Sequence, residues 1–332
     1  MVTRRGRTGL ELSYREVSLR LYAVVRPILV VAIIAYILVQ LYAGREAIAG
    51  LEPRLDPLLL GGAFISALLA YQCLFVAWLM LLRVSGHFAP ADLGRYARIW
   101  WVSYLYRYIP GKLLLVVERA RLGRYVGIPA SIGAALAGFE SVFAILAGSV
   151  VALLALPYYV TESASAISWA LAGTTVAALL ALPILSRWIS RRGIFQRRYP
   201  ELDRIRLSFA HTLFILLPYV AHYALLGLSF FLLSKSVITL DMRDFAGLCG
   251  IYALSHVIGL IAFLAPAGLG VREGTLAIQL WRIVPVGVAE ALAIGIRLWF
   301  SAVELLCFVV VVSTCPRLPE NVHLTAGSRT GT

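Results

Sequence analysis

Apolar residues run in long blocks along the chain, interrupted by short polar clusters, and the lengths of the blocks predict the elements. Runs at about 27–43, 57–82, 130–157, 166–185, 207–234, 245–265 and 286–312 contain few charges. At 1.5 Å of rise per helical residue most of them reach across a ~30 Å hydrocarbon core. The blocks therefore predict an all-α polytopic membrane protein with about seven full transmembrane helices, in a range of six to eight. Two further segments, 99–121 and 266–285, mix apolar, aromatic and charged residues and read as re-entrant or interfacial helices around a central cavity. The predicted organisation is a basic N-terminal segment at 1–26, one transmembrane domain over 27–312, and a short polar tail at 313–332.

Composition agrees with this pattern. The 332 residues are 61% hydrophobic and 14% charged, with mean hydropathy +0.85, whereas soluble domains are about 25% charged. The net charge of +13 would point to nucleic acid in a soluble protein. Here the basic residues lie in short connections between apolar blocks, so no nucleic-acid partner is implied and topology explains them. Arg4, Arg5, Arg7, Arg15, Arg20 and Arg26 precede the first block, and Arg187, Arg191, Arg192, Arg197, Arg198, Arg204 and Arg206 follow the fourth. Both stretches are predicted to be cytoplasmic, which places a multi-pass protein in the cell membrane with its N-terminus inside. The connection at 158–165 has no Lys or Arg and is predicted outside.

Two breaks interrupt the apolar pattern. Pro266-Ala267-Gly268-Leu269-Gly270-Val271-Arg272-Glu273-Gly274 does not suit a regular helix, and Ile109-Pro110-Gly111-Lys112 is followed by Glu118 and Arg119. Broken backbone at membrane depth is tolerated where protein or a water-filled cavity satisfies the freed amides. Pro110, Gly111, Pro266, Gly268 and Gly270 are thus the backbone-opening candidates. The bland alternatives are an interhelical turn with a snorkelling Arg at the second break and a basic amphipathic surface helix over 110–121. Four predicted spans separate the breaks, so both enter from the cytoplasmic face and a parallel internal relation is favoured over an inverted one.

Ionisable groups inside spans are costly, by roughly 2.5–3.5 kcal/mol at a helix centre on insertion scales, so each needs a partner or a purpose. Glu140 is one. In the last block Glu290, Arg297 and Glu304 recur every seven residues and so share a stripe. Their spacing of about 10.5 Å along the axis rules out direct pairing within the helix, and Glu140 or Glu273 is the expected partner of Arg297. An interhelical ion pair is the structural alternative to a site role for that arginine. His222 and His256 lie deep in apolar blocks and read as hydrogen-bonded packing residues. Neither the histidines nor the four cysteines show metal-ligand spacing. No metal, cofactor or enzyme motif is apparent in the sequence.

The two breaks, the Phe139-Glu140 span and Arg297 together resemble the lysylphosphatidylglycerol synthase transmembrane region family, the flippase-like membrane domain of multiple peptide resistance factors. The resemblance covers roughly Leu58 to Val312. Val117 stands where the family usually has Gly, and Ser141 where a basic residue often follows the Glu. The resemblance implies re-entrant segments lining a lipid-admitting cavity, and movement of an anionic, often aminoacylated or glycosylated, phospholipid or lipid-phosphate intermediate between leaflets. It identifies Lys112, Glu118, Arg119, Glu140, Arg272, Glu273 and Arg297 as lipid- or phosphate-binding candidates. Without the soluble synthetase domain of full-length resistance factors, a transport role is expected, with membrane lipids as partners and a separately encoded lipid-modifying enzyme as a further one. The alternatives are a membrane-embedded transferase on a lipid-phosphate carrier, with Glu118, Glu140 or Glu273 as base, and a non-catalytic membrane subunit of a separate synthetase or glycosyltransferase.

Overall fold

In the computed structural model, residues 56–108, 113–155, 199–262 and 270–318 are described, together with 42, 268 and scattered positions in 172–184. The predicted first span, the connections at 44–55, 158–165 and 186–198, most of the 166–185 span and the end of the tail lie outside the described residues. So do Pro110, Gly111, Lys112 and Pro266. The chain divides into two compact units, Met1–Glu46 and Ala47–Thr332, and the fold below belongs to the second.

The described residues form helices and no strand. We number them α1 (Pro57–Val84), α2 (Leu93–Leu105), α3 (Leu113–Gly123), α4 (Ala130–Ala155), α5 (Phe209–Lys235), α6 (Asp244–Ile261), α7 (Val271–Leu280) and α8 (Val286–Thr314). Among the described residues, α1, α4, α5, α6 and α8 are long and apolar enough to cross a membrane. The protein is a multi-pass membrane protein. Local sequence sets the helix ends: Asp56 caps α1, its side chain accepting from the Leu58 amide at 2.8 Å with proline at the first position. Ser208 caps α5, its hydroxyl accepting from the His211 amide. Gly127, at φ 75°, turns the chain from α3 into α4.

The centre of the bundle is a seam between α1 and α5. Ala63, Ala67, Ala70 and Ala77 are fully buried, and these small side chains let the backbones approach closely. The Ser66 hydroxyl donates to the Leu225 carbonyl at 2.7 Å, Ser229 to Ala63 at 2.7 Å, and His222 Nδ1 to Ala70 at 2.8 Å. Residue numbers that rise on one helix fall on the other, so the two are antiparallel. The packing role expected for His222 is met by this bond.

Each seam helix is followed by a helical hairpin. Helix α2 folds back along α1 through Trp78–Tyr96, Phe75–Trp100 and Tyr71–Tyr104 ring contacts. Arg119 Nε on α3 then donates to Ser103 Oγ on α2 at 2.5 Å. Along one continuous helix those residues would be about 24 Å apart, so α3 folds back on α2. Helix α6 folds back along α5 through Phe231–Phe245 and Tyr223–His256. It is met in turn by α7, whose Gln279 side chain donates to Ser255 Oγ at 2.9 Å. Since α1 and α5 are antiparallel, the two hairpins enter from opposite ends of the bundle.

This arrangement corrects the parallel relation expected from charge counting. That count took the helix before the second break as a crossing and the helix before the first as none. In the geometry both run back along the helix before them, α6 packed closely on α5 and α2 meeting α1 through ring contacts. Helix α8 runs antiparallel to α2, since Arg98 near the start of α2 donates to the Val312 and Cys315 carbonyls at the end of α8 while Arg107 beyond α2 reaches Glu304. It is therefore parallel to α1. The expected segment 99–121 begins earlier, at Leu93, and within the expected segment 266–285 the described helix is Val271–Leu280.

Candidate functional site

The interior charges fall into three groups, all reached from α8 or α4. The first lies at the first hairpin. Arg119, 1% exposed, pairs with Glu140 on α4 at 2.5 Å, and the other oxygen of that carboxylate accepts from the Trp100 indole at 3.0 Å. The guanidinium carbon lies 4.9 Å from the Trp78 ring and 5.7 Å from the Trp100 ring, a cation–π setting. Arg119 Nη2 has no hydrogen-bond partner among the described residues. Glu118, one residue earlier, points elsewhere and takes both bonds of Arg121, at 2.8 and 2.7 Å. The adjacent charges read from sequence as one pair thus serve different neighbours.

The second group was not expected. Glu304 on α8 accepts from the Tyr71 hydroxyl on α1, from Arg107 Nη2, and from the Tyr108 hydroxyl at 2.7 Å. Arg107 also donates to the Tyr104 hydroxyl and lies over the Tyr104 ring, 4.2 Å from its centroid. Tyr108 further contacts Ser301 Oγ at 3.2 Å. The chain entering the first break is clamped to α8 by this carboxylate. A sequence signal existed: Glu304 was on the charged stripe, and the Tyr-Leu-Tyr-Arg-Tyr run at 104–108 supplies donors at helical spacing. The remaining member of that stripe, Glu290, is exposed near the start of α8, so the stripe is interior only from Arg297 onward.

The third group lies at the second hairpin. Glu273 pairs with Arg297 Nε at 3.2 Å, which selects Glu273 over Glu140 as the partner. The other Glu273 oxygen accepts from the Gly270 amide at 2.8 Å at the start of α7. Gly268 and Gly270 both take left-handed backbone, at φ 74° and 75°. A Cβ on Gly268 would meet the Gly259 backbone at 3.0 Å, so the apex requires glycine on steric grounds. Arg272, 6% exposed, donates to the Tyr252 hydroxyl and lies over its ring. No carboxylate pairs with it among the described residues.

Tyr252, Arg272, Glu273, Ala293, Arg297 and Phe300 help line a small recess with a cavity volume of about 10 Å³, room for about one water molecule. Arg107, Arg119 and Arg297 each pair with a carboxylate, whereas Arg272 makes no salt bridge among the described residues. The structure thus brings Arg272, Glu273 and Arg297 together, holds Arg119 with Glu140 separately, and leaves Glu118 with Arg121. Among the described residues no group of His, Cys, Asp or Glu is arranged to hold a metal ion.

No protein-family model matches the chain, and no curated protein matches it significantly.

Proposed function

We propose that the protein moves an anionic lipid between the leaflets of the cell membrane, taking the lipid phosphate on Arg272 and Arg297. The observation that carries this reading is Arg272, an interior guanidinium whose hydrogen-bond partner is the Tyr252 phenol and which makes no salt bridge to a carboxylate among the described residues. An unpaired charge in a low-dielectric interior costs several kcal/mol. A ligand that brings the missing negative charge offsets that cost, and the planar guanidinium fork suits phosphate oxygens. The recess would widen to admit the phosphate, and the acyl chains would stay in the bilayer beside the exposed Ile278 and Trp281. The charge pattern of the connections favours a cytoplasmic N-terminus.

With the two hairpins taken as re-entrant elements, the sequence-predicted spans at 27–43 and 166–185 add to α1, α4, α5 and α8 for a count of six crossings, within the expected range of six to eight. The tail then lies on the cytoplasmic side. Purified protein in liposomes should accelerate the exposure of a labelled phosphatidylglycerol to a membrane-impermeant quencher, relative to protein-free vesicles. Arg272→Gln should abolish most of the acceleration while the protein stays monodisperse. Equal rates with and without protein, across phosphatidylglycerol, aminoacylated and glycosylated lipid probes, would overturn the reading.

A further inference from the structure

The two hairpins are versions of one design. The first half runs as a long helix of 28 residues, hairpin arms of 13 and 11, and a long helix of 26. The second runs as 27, then 18 and 10, then 29. Packing repeats with the order: α3 lies on α4 as α7 lies on α8, α4 on α5 and α6 as α8 lies on α1 and α2, and α1 and α5 form the seam between halves. In the sequence between the two arms of each hairpin a proline is followed by glycine, Pro110-Gly111 and Pro266-Ala267-Gly268.

The charges repeat with their signs exchanged. In the first half the returning arm supplies Arg119, and its partner Glu140 is at the eleventh position of α4. In the second half the returning arm supplies Glu273, and its partner Arg297 is at the twelfth position of α8. An ion pair works in either polarity, so the contact is kept although both residues differ. The antiparallel seam makes the relation between halves an inverted one, which is how membrane transporters place equivalent elements on opposite faces.

We propose that the chain is an inverted repeat in which Arg119–Glu140 and Glu273–Arg297 are equivalent latches, each holding one hairpin against the long helix that follows it. Opening one latch admits water and ligand from one membrane face, and opening the other admits them from the opposite face. This deepens the transport reading above and rests on it. The Glu304 group serves the same end, since Glu304 anchors the entrance of the first hairpin to the helix that carries Arg297.

Sidedness of access tests the proposal without any lipid assay, so failure here is distinct from failure of the transport reading. In a full chain whose four cysteines are replaced by alanine, single cysteines are placed behind each latch, Ser103→Cys for the first and Ala293→Cys for the second. Proteoliposomes of known protein orientation are treated with a membrane-impermeant maleimide from either side. Glu140→Gln should raise labelling at position 103 several-fold from one face only, and Arg297→Gln should raise labelling at 293 several-fold from the opposite face only. The double exchange Arg119→Glu with Glu140→Arg keeps a pair in the polarity of the second half and should return labelling at 103 to its starting level. Labelling of both positions from the same face would overturn the inverted arrangement. Unchanged labelling in well-folded single variants, or a double exchange that labels like Glu140→Gln, would overturn the latch.

Discussion

The first hairpin encloses its ion pair, whereas the second leaves a cation to spare. Around Arg119 the counter-charge is supplied by Glu140, a hydroxyl by Ser103, and two aromatic faces by Trp78 and Trp100. Around Arg297 the pair with Glu273 is longer, and Arg272 stands beside it with a phenol as its hydrogen-bond partner. The difference comes from one position. The residue before each latch charge is Glu118 in the first hairpin, turned to Arg121, and Arg272 in the second, turned inward. The lesson is that a shared framework became a scaffold on one side and a charged recess on the other.

The comparison breaks most visibly at the carboxylates. Removing one partner of a buried pair costs about 3–5 kcal/mol because the survivor stays charged. Glu140→Gln should therefore lower thermal stability strongly, and anionic lipid should not restore it. Glu273→Gln exposes Arg272 and Arg297 together at the recess, and stability should recover when phosphatidylglycerol replaces phosphatidylcholine during a thermal scan. Identical lipid responses of the two variants would erase the distinction. A smaller effect is expected at the apex. Gly268→Ala forces a side chain into left-handed backbone against Gly259 and should cost on the order of 1–3 kcal/mol. The equivalent change at Gly138, in α4 with open space around it, should cost nothing measurable beyond helix propensity. Comparable denaturation midpoints for the two would remove the steric argument.

Much of this arrangement was legible in the chain. Block lengths identified the five long helices to within a few residues, because hydrocarbon leaves few alternatives to a helix. Pro-Gly clusters marked both reversals, and unexplained charges marked Arg119, Glu140, Arg272, Glu273 and Arg297. Pairing was not legible, because adjacent charges diverge around a helix: Glu118 and Arg119 look like a unit in one dimension and face different neighbours in three. Arg107 escaped notice because it lies among tyrosines at a helix end, where an arginine reads as a surface anchor. The handedness of the internal relation was missed for a physical reason as well. An 18-residue apolar helix satisfies the length of a crossing whether the chain continues beyond it or turns back.

The seam also bears on the order in which the protein is built. His222 places a polar ring at the middle of α5, and its Nδ1 donates to a carbonyl that belongs to α1. Ser229 likewise finds its acceptor on α1. During synthesis α1 emerges long before α5, and its own carbonyls, already bonded within the helix, need nothing further. Helix α5 alone would carry an imidazole and a hydroxyl into lipid without those interhelical acceptors, a polar burden of about 1 kcal/mol or more. Insertion of α5 should consequently be more efficient with α1 already beside it, a gain that His222→Leu would abolish in a glycosylation-mapped insertion assay. An equal gain for the leucine variant would show that apolar contact alone recruits α5. The earlier helix is thus a template for the later one, and the polar atoms of the seam make membrane entry a sequential event.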